Sequence, residues 1–171
     1  MRKTLWLAAA ALVLVLVGAG PALAQDGKIV NEEFGVEIQK PKDWQSFAGN
    51  EKAVAVFQHP VTQSQIEIVP TKLMTPDVAD VFFSTFHKTL TESSFEQEEQ
   101  KKEKIGDYDG TTTTYKFTHA GVTLQVLVFQ FVRDSTAWIV VGYLQSQSPD
   151  VAKLREGYRW TIQKIDFPAA Q

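Results

Sequence analysis

The sequence predicts an α+β domain in which helices pack on an antiparallel β-sheet of about six to seven strands. Short segments of alternating apolar and polar residues lie on both sides of an amphipathic helical segment, and a second helical segment follows the last long strand. The longest strand segments are apolar on both alternating faces, which is typical of a sheet covered on both sides. Such a sequence of elements favours the α+β class.

The first 24 residues have the features of a secretory signal peptide. Two basic residues precede an apolar run from Leu5 to Val17. This run is shorter than the ~20 residues that a membrane-spanning helix needs. The A-x-A pattern that ends at Ala24 predicts cleavage between Ala24 and Gln25. An uncleaved N-terminal anchor is the alternative interpretation.

The signal peptide predicts a periplasmic or secreted protein, and the composition indicates one globular domain over residues 25–171. The 171-residue chain has a net charge of −3, and removal of the leader, with two basic and no acidic residues, lowers it to −5. A mildly acidic domain lacks the basic surface that nucleic acids and anionic lipids require. The chain contains no cysteine, so we expect no disulfide, no thiol chemistry and no lipid anchor. No later segment is long and apolar enough to predict a membrane span.

Three short strands are predicted before the first helix. The segment FGVEIQKPKDW, residues 34–44, alternates and then reaches Pro41, which cannot donate to a β-ladder. It predicts a first strand and its capping turn, with Trp44 covering one end of the core. Residues 53–58 and 65–69 predict the second and third strands. We interpret FGVEIQKPKDW as a mark of the fold and not as part of a site.

The first helix is predicted from Pro76 to Thr91. Thr75 is a favourable N-cap, and proline suits the first helical position. The apolar residues recur at helical spacing. This spacing places Phe82 and Phe86 on the buried stripe and leaves Phe83 partly exposed.

The most charged segment, FEQEEQKKEKI at residues 95–105, predicts an edge strand that begins near Phe95. Mixed charges on a solvated strand discourage pairing between sheet edges. A docking patch is the functional alternative for this segment.

The turn cluster Gly106–Gly110 introduces three consecutive strands. Their segments are TTTTYKFT, VTLQVLVFQFVR and TAWIVVGYL, and a hairpin turn at residues 119–121 separates the first two. A C-terminal helix begins at Ser148-Pro149-Asp150, with Gly157 marking a close approach. Residues 165–167 can add a short last strand.

Several of these features together resemble the PsbP-like family, the extracytoplasmic domains related to the extrinsic subunit of photosystem II. They are the strand closed by P-x-x-W (Pro41 to Trp44), the segment AVAVFQHP, the helix capped at Pro76, the turn GDYDG before a long meander, and the helix from Pro149. The resemblance covers essentially all of residues 25–171. It implies an α/β/α sandwich and a non-catalytic binding or assembly role. The chain lacks the lipid-attachment cysteine of the bacterial lipoproteins of this type, and no binding residue of the family matches a position here.

No catalytic or phosphate-binding motif is recognisable. The patterns G-x-S-x-G, G-x-G-x-x-G, the P-loop and H-x-x-x-H are absent. We interpret His59, His87 and His119 as surface or turn residues. A hairpin could bring His59 and Glu67 onto neighbouring strands, where a transition-metal site is conceivable. We otherwise expect no catalytic residue, no metal ligand and no cofactor.

Three functional hypotheses follow. The first is a non-catalytic extracytoplasmic binding or accessory protein that assists a protein complex of the cell envelope. The second is a small-molecule or metal-binding domain, in which Trp138, Tyr143, Tyr158 and Trp160 line a pocket between sheet and helix instead of filling the core. The third is an enzyme with an unfamiliar site, which a pair of titratable groups with separated pKa values would indicate.

Overall fold

The computed structural model describes residues 27–47 and 52–168. The predicted signal peptide and its cleavage position lie outside these residues. Within the two ranges, no helix has both the length and the apolar character needed to cross a membrane.

Strands dominate the described part of the chain, as the sequence predicts. The 3-10 turn Pro76–Val78 leads into the first helix. The strands and helices, in chain order, are β1 (Lys28–Asn31), β2 (Val36–Gln39), β3 (Gln45–Phe47), β4 (Ala55–Gln58), β5 (Gln65–Lys72), α1 (Ala79–Glu92), β6 (Glu96–Ile105), β7 (Tyr108–His119), β8 (Val122–Arg133), β9 (Thr136–Gln145), α2 (Val151–Gln163) and β10 (Ile165–Asp166).

The strands form two antiparallel sheets. The larger one has seven strands in the order β3-β4-β5-β9-β8-β7-β6, which confirms the predicted sheet. The smaller one has the order β1-β2-β10 and was not predicted. It joins the two ends of the described chain, because Ile165 of β10 pairs with Ile38 of β2.

Both faces of the large sheet are covered, which confirms the expected sandwich. On one face the buried side chains of α2 and of the small sheet pack against the large sheet; they include Val36, Ile38, Leu154, Tyr158, Ile162 and Ile165. On the other face α1 contributes Ala79, Phe83 and Leu90 to a second buried cluster. The long central strands β8 and β9 are apolar on both sides because they supply both clusters.

Strand β5 is longer than the sequence predicts. It continues past Val69 to Lys72, and Pro70 pairs with Trp138 of β9. Proline is tolerated at this position because the pairing with β4 ends at Ile68, opposite Ala55. Beyond that point β5 has a strand on one side only among the described residues, so the missing N–H leaves no ladder bond unmade.

The buried stripe of α1 differs from the predicted one. Phe83 is the buried residue, at 6% exposure, whereas Phe82 and Phe86 are half-buried. The predicted stripe is wrong, because the buried residues of α1 are Ala79, Phe83 and Leu90, which recur four and seven positions apart on one face of the helix. Thr75 takes the N-cap position without a capping hydrogen bond to the backbone, and the proximity of its hydroxyl lowers the pKa of the Asp77 carboxyl.

Candidate functional site

A cleft of about 400 Å³ opens between the turn after β2 and the first turns of α2. Trp44, His59 and Trp160 are its aromatic lining residues. The rings of Trp44 and His59 meet edge to face with their centroids 5.5 Å apart. A cleft of this size is in the range that binds small molecules or a short peptide segment.

The turn between β2 and β3 holds Trp44 in place. The backbone N–H of Trp44 donates to the carbonyl of Pro41 at 3.3 Å, and Nζ of Lys40 donates to the carbonyl of Trp44 at 2.8 Å. Asp43 has a φ of 66°, a left-handed conformation that aspartate adopts more readily than most residues. Trp44 is only 5% exposed, which confirms its predicted place over one end of the core.

Gly157 allows α2 to pass close to this tryptophan. A Cβ atom at Gly157 would lie 3.1 Å from Nε1 of Trp44, closer than ordinary van der Waals contact. The predicted close approach at Gly157 is therefore confirmed. The segment that we interpreted as a mark of the fold also forms one wall of the cleft, which sequence reasoning missed.

The rim of the cleft carries charges of both signs. Nζ of Lys153 lies 3.2 Å from Oδ1 of Asp150, three positions earlier in the sequence. The other charged lining residues are Lys42, Asp43 and Glu156. Such a rim suits a ligand with both donor and acceptor groups, such as a peptide, better than a ligand of one charge.

His59 is held at the edge of the cleft by its own hairpin. The backbone N–H of Thr62 donates to Nδ1 of His59 at 3.3 Å. Because Nδ1 accepts this bond, the neutral imidazole carries its proton on Nε2. The ring lies on the face of the large sheet that packs against α2, beside Trp44.

The hypothesis of a shared site at His59 and Glu67 is wrong. Glu67 pairs with Val56 across the β4–β5 hairpin and alternates with Ile66 and Ile68. Those two isoleucines point into the cluster that contains Trp44, so Glu67 lies on the opposite face of the sheet from His59. Among the described residues there is no group of three or more His, Asp or Glu side chains arranged to hold a metal ion.

Glu67 lies instead beside Tyr143 on the α1 face. Nε2 of Gln65 donates to Oε1 of Glu67 at 2.5 Å, and burial raises the pKa of Glu67. Burial and the nearby Glu67 charge both raise the pKa of Tyr143. The Tyr143 hydroxyl is buried and has no hydrogen-bond partner within the described part of the chain.

His87 is not the surface residue that the sequence suggests. It is half-buried on α1, with Nδ1 2.5 Å from the hydroxyl of Tyr115 and Nε2 2.5 Å from Oε1 of Gln130. Burial lowers the pKa of His87, and the bond to Gln130 partly offsets this effect. His119 is exposed at the end of β7, as predicted.

The four aromatic residues proposed to line a pocket separate into two groups. Trp138, Tyr143 and Tyr158 are buried and belong to the core on both faces of the sheet. Trp160 alone of the four lines the cleft. The cleft could be anticipated only in part, because its walls come from residues more than 100 positions apart in the sequence.

Comparison with known proteins shows the fold. No protein-family model and no curated protein matches the chain. A protein from Bacteroides thetaiotaomicron VPI-5482 aligns with a TM-score of 0.60 and 14% identity over 83% of this chain and 48% of its own, so this chain spans about half of that protein. Cyanobacterial PsbP from Synechocystis sp. PCC 6803 aligns with a TM-score of 0.61 and 9% identity over 89% of this chain and 99% of its own.

A third match is LpqN, a protein involved in cell envelope biogenesis of Mycobacterium tuberculosis. It aligns with a TM-score of 0.50 and 10% identity over 78% of this chain and 83% of its own. Identities this low carry information about architecture and not about activity. The chain has the fold of the PsbP-like domains, as its sequence resemblance implies.

Proposed function

We propose that this chain is a non-catalytic extracytoplasmic protein that binds and assists a protein complex of the cell envelope. The cleft beside Trp44 and Trp160 is its contact site. The observation that carries this proposal is the cleft itself, which combines accessible aromatic surface with charges of both signs. Tryptophan is enriched among the residues that dominate binding energy at protein interfaces.

The state of the titratable side chains supports a binding role over a catalytic one. His87 bridges a helix to the sheet through two hydrogen bonds. Glu67 and Tyr143 lie on the α1 face, away from the cleft. A general acid–base pair needs two groups within reach of one substrate position. Of the titratable side chains that line the cleft, His59 is bonded through Nδ1 to its own hairpin, and Asp150 is paired with Lys153 at 3.2 Å.

Two observations support the extracytoplasmic location in this proposal. The predicted signal peptide would direct the protein across the cytoplasmic membrane. The fold is shared with LpqN, which is involved in cell envelope biogenesis. An accessory role in the envelope is compatible with both the predicted signal peptide and the shared fold.

Site-specific photo-crosslinking in intact cells tests this proposal. A photoreactive amino acid would replace Lys42 or Lys153, which are exposed residues at the rim of the cleft. The matched control position is Lys88, an exposed lysine on α1 at the opposite face of the sheet. We expect a reproducible envelope protein to be captured from the two cleft positions and not from Lys88.

A pair of substitutions gives the same test a second readout. Trp160→Ala removes the accessible aromatic surface of the cleft and should reduce the yield of the captured partner. Phe82→Ala removes a half-buried aromatic side chain from α1 and should leave the yield unchanged. If no envelope protein is captured from either cleft position, the accessory role is refuted.

The dimensions of the cleft also favour a second candidate function, the binding of a small extracytoplasmic ligand. Its two tryptophans, Trp44 and Trp160, would report such binding by a change in intrinsic fluorescence. A panel of metabolites and short peptides that changes neither the fluorescence nor the Tm would exclude this candidate.

A further inference from the structure

Strand β6 forms one end of the seven-stranded sheet. It is 10 residues long, and its first seven residues, 96–102, are all exposed. It pairs with β7 along one side. Nothing in residues 27–47 and 52–168 pairs with its other side. The backbone N–H and C=O groups of that side are therefore available to another strand.

The charges along β6 are ordered. The residues before Gln100 are acidic or neutral, and those after it are mostly basic. Glu103 is the exception, and its carboxylate is already bound by Arg159 of α2 at 2.9 Å and by Thr112. In the described part of the chain no ion pair engages the remaining charged side chains near the centre of the strand, which are Glu98, Glu99 and Lys102.

We propose that β6 is a self-association edge, at which two copies of this chain pair through antiparallel β6 strands with Gln100 facing its own copy. The two sheets would then continue as one across the interface. A two-fold interface is self-complementary, so each residue contact is made twice.

The sequence of β6 selects this register. Along an antiparallel strand pair, hydrogen-bonded and non-hydrogen-bonded residue pairs alternate. A two-fold axis between two neighbouring residue pairs would have to convert one type into the other, which is impossible. The axis therefore passes through a single residue pair, in which a residue faces its own copy. With Gln100 at the axis, Glu99 faces Lys101 and Glu98 faces Lys102. Directly opposite side chains lie close enough for opposite charges to stabilise the pair.

Neighbouring registers are unfavourable. With Glu99 or Lys101 at the axis, that residue would face a like charge, its own copy. A centre at Lys101 would also oppose Glu99 to Glu103. Like charges directly opposite one another destabilise a strand pair. The charges that normally protect an edge strand from pairing therefore permit one register with a second copy.

The geometry of β6 is compatible with this pairing near the axis. The register with β7 shifts between Gln97 and Glu99, which places a β-bulge in the acidic half of the strand. From Glu99 to Ile105 the ladder with β7 is regular. The pair Glu99–Lys101 and the central Gln100 lie on this regular part, whereas the bulge adds twist at the end of the interface.

Sedimentation of the purified protein provides the first test. We expect a species of twice the monomer mass at low ionic strength and dissociation toward monomers at ~1 M salt, where the screening length falls to about 3 Å. A protein that stays monomeric at every concentration and salt level, or that pairs another protein at β6 while remaining monomeric alone, would overturn the proposal.

Charge exchange makes the test specific for the register. The double variants Glu98→Lys/Glu99→Lys and Lys101→Glu/Lys102→Glu should each be monomeric, because each places like charges opposite one another. An equimolar mixture should form a heterodimer, because the exchanged charges are again complementary. All four residues are exposed on one strand edge, and circular dichroism would verify that both variants fold. A mixture that contains only monomers contradicts this register.

A single cysteine measures the distance across the axis. The natural chain has none, so Gln100→Cys introduces one thiol per copy. Ile105 and Tyr108 pair across a two-residue turn and bond each other, so the N–H and C=O of Gln100, five residues earlier, point to the free edge. Gln100 and its copy would form a hydrogen-bonded pair with Cα atoms about 5.5 Å apart, which is within disulfide range. We expect rapid oxidation to a covalent dimer, whereas Lys88→Cys on α1, an exposed control, should oxidise slowly. Equal rates for the two variants would refute the pairing at Gln100.

Discussion

The hydroxyl of Tyr115 lies 2.5 Å from Nδ1 of His87, and this contact ties α1 to strand β7. The other ring nitrogen, Nε2, lies 2.5 Å from Oε1 of Gln130 on β8. Because the amide oxygen only accepts, Nε2 carries the proton and Nδ1 accepts from Tyr115. The neutral imidazole satisfies both partners in this way, and burial favours that neutral form.

Acid should weaken this bridge. Burial lowers the pKa of His87 below its ordinary value of 6.5. Between the folded pKa and 6.5 the unfolded chain binds more protons than the native one, so the free energy of unfolding falls as the pH falls through that window. We expect the Tm, measured by circular dichroism, to decrease as the pH falls through 6.5 toward the folded pKa of His87.

Two substitutions separate the contribution of His87 to the pH dependence of the Tm from the contributions of other titratable groups. His87→Gln should flatten part of the pH dependence of the Tm, whatever its effect on the absolute value. His119→Gln changes an exposed histidine and should leave the change of Tm with pH unaltered. Parallel curves for the natural protein and His87→Gln would show that the bridge does not contribute to the pH dependence.

Glu67 should have the opposite dependence. Burial raises the pKa of Glu67 above its ordinary 4.5. The native state then holds more protons than the unfolded chain between 4.5 and the folded pKa, so stability falls as the pH rises through that window. At neutral pH the ionised carboxylate is a cost to the fold.

Glu67→Gln should therefore raise the Tm at neutral pH by a few degrees. The amide is of similar size and keeps an oxygen that can accept from Gln65, which bonds Glu67 in the natural chain. The gain should disappear at about pH 4 and below, where the natural carboxyl is protonated as well. Glu32→Gln, at an exposed position, is the control. A gain that persists in acid would point to packing and not to ionisation as the cause.

The long strands and the edge strand were predictable because their signals are local. β7, β8 and β9 are 10 to 12 residues long and rich in β-branched, aromatic and aliphatic residues. β1 and β3 were missed because KIVN and QSF lack the alternation of apolar and polar residues that the equally short β2 shows in VEIQ. The small sheet was missed because it depends on the pairing of Ile38 with Ile165, which are distant in the sequence.

The candidate site was less predictable than the fold. The motif ending in Trp44 and the glycine at position 157 were both noticed, but for separate reasons. Only the folded chain shows that the glycine makes room for this tryptophan. The burial of His87 could not be predicted from local sequence either, because its partners Tyr115 and Gln130 lie 28 and 43 residues further along the chain.

Two buried tyrosines on opposite faces of the sheet provide a matched test of hydrogen bonding. The hydroxyl of Tyr158 donates to the carbonyl of Val140 at 2.9 Å, so Tyr158→Phe should cost about 1 kcal/mol. The Tyr143 hydroxyl is buried without a hydrogen-bond partner among the described residues, so Tyr143→Phe should stabilise the protein by about 1 kcal/mol. Urea denaturation at neutral pH measures both changes, and the double variant should equal their sum because the two side chains belong to separate clusters. Similar losses for both variants would mean that Tyr143 does have a partner in solution.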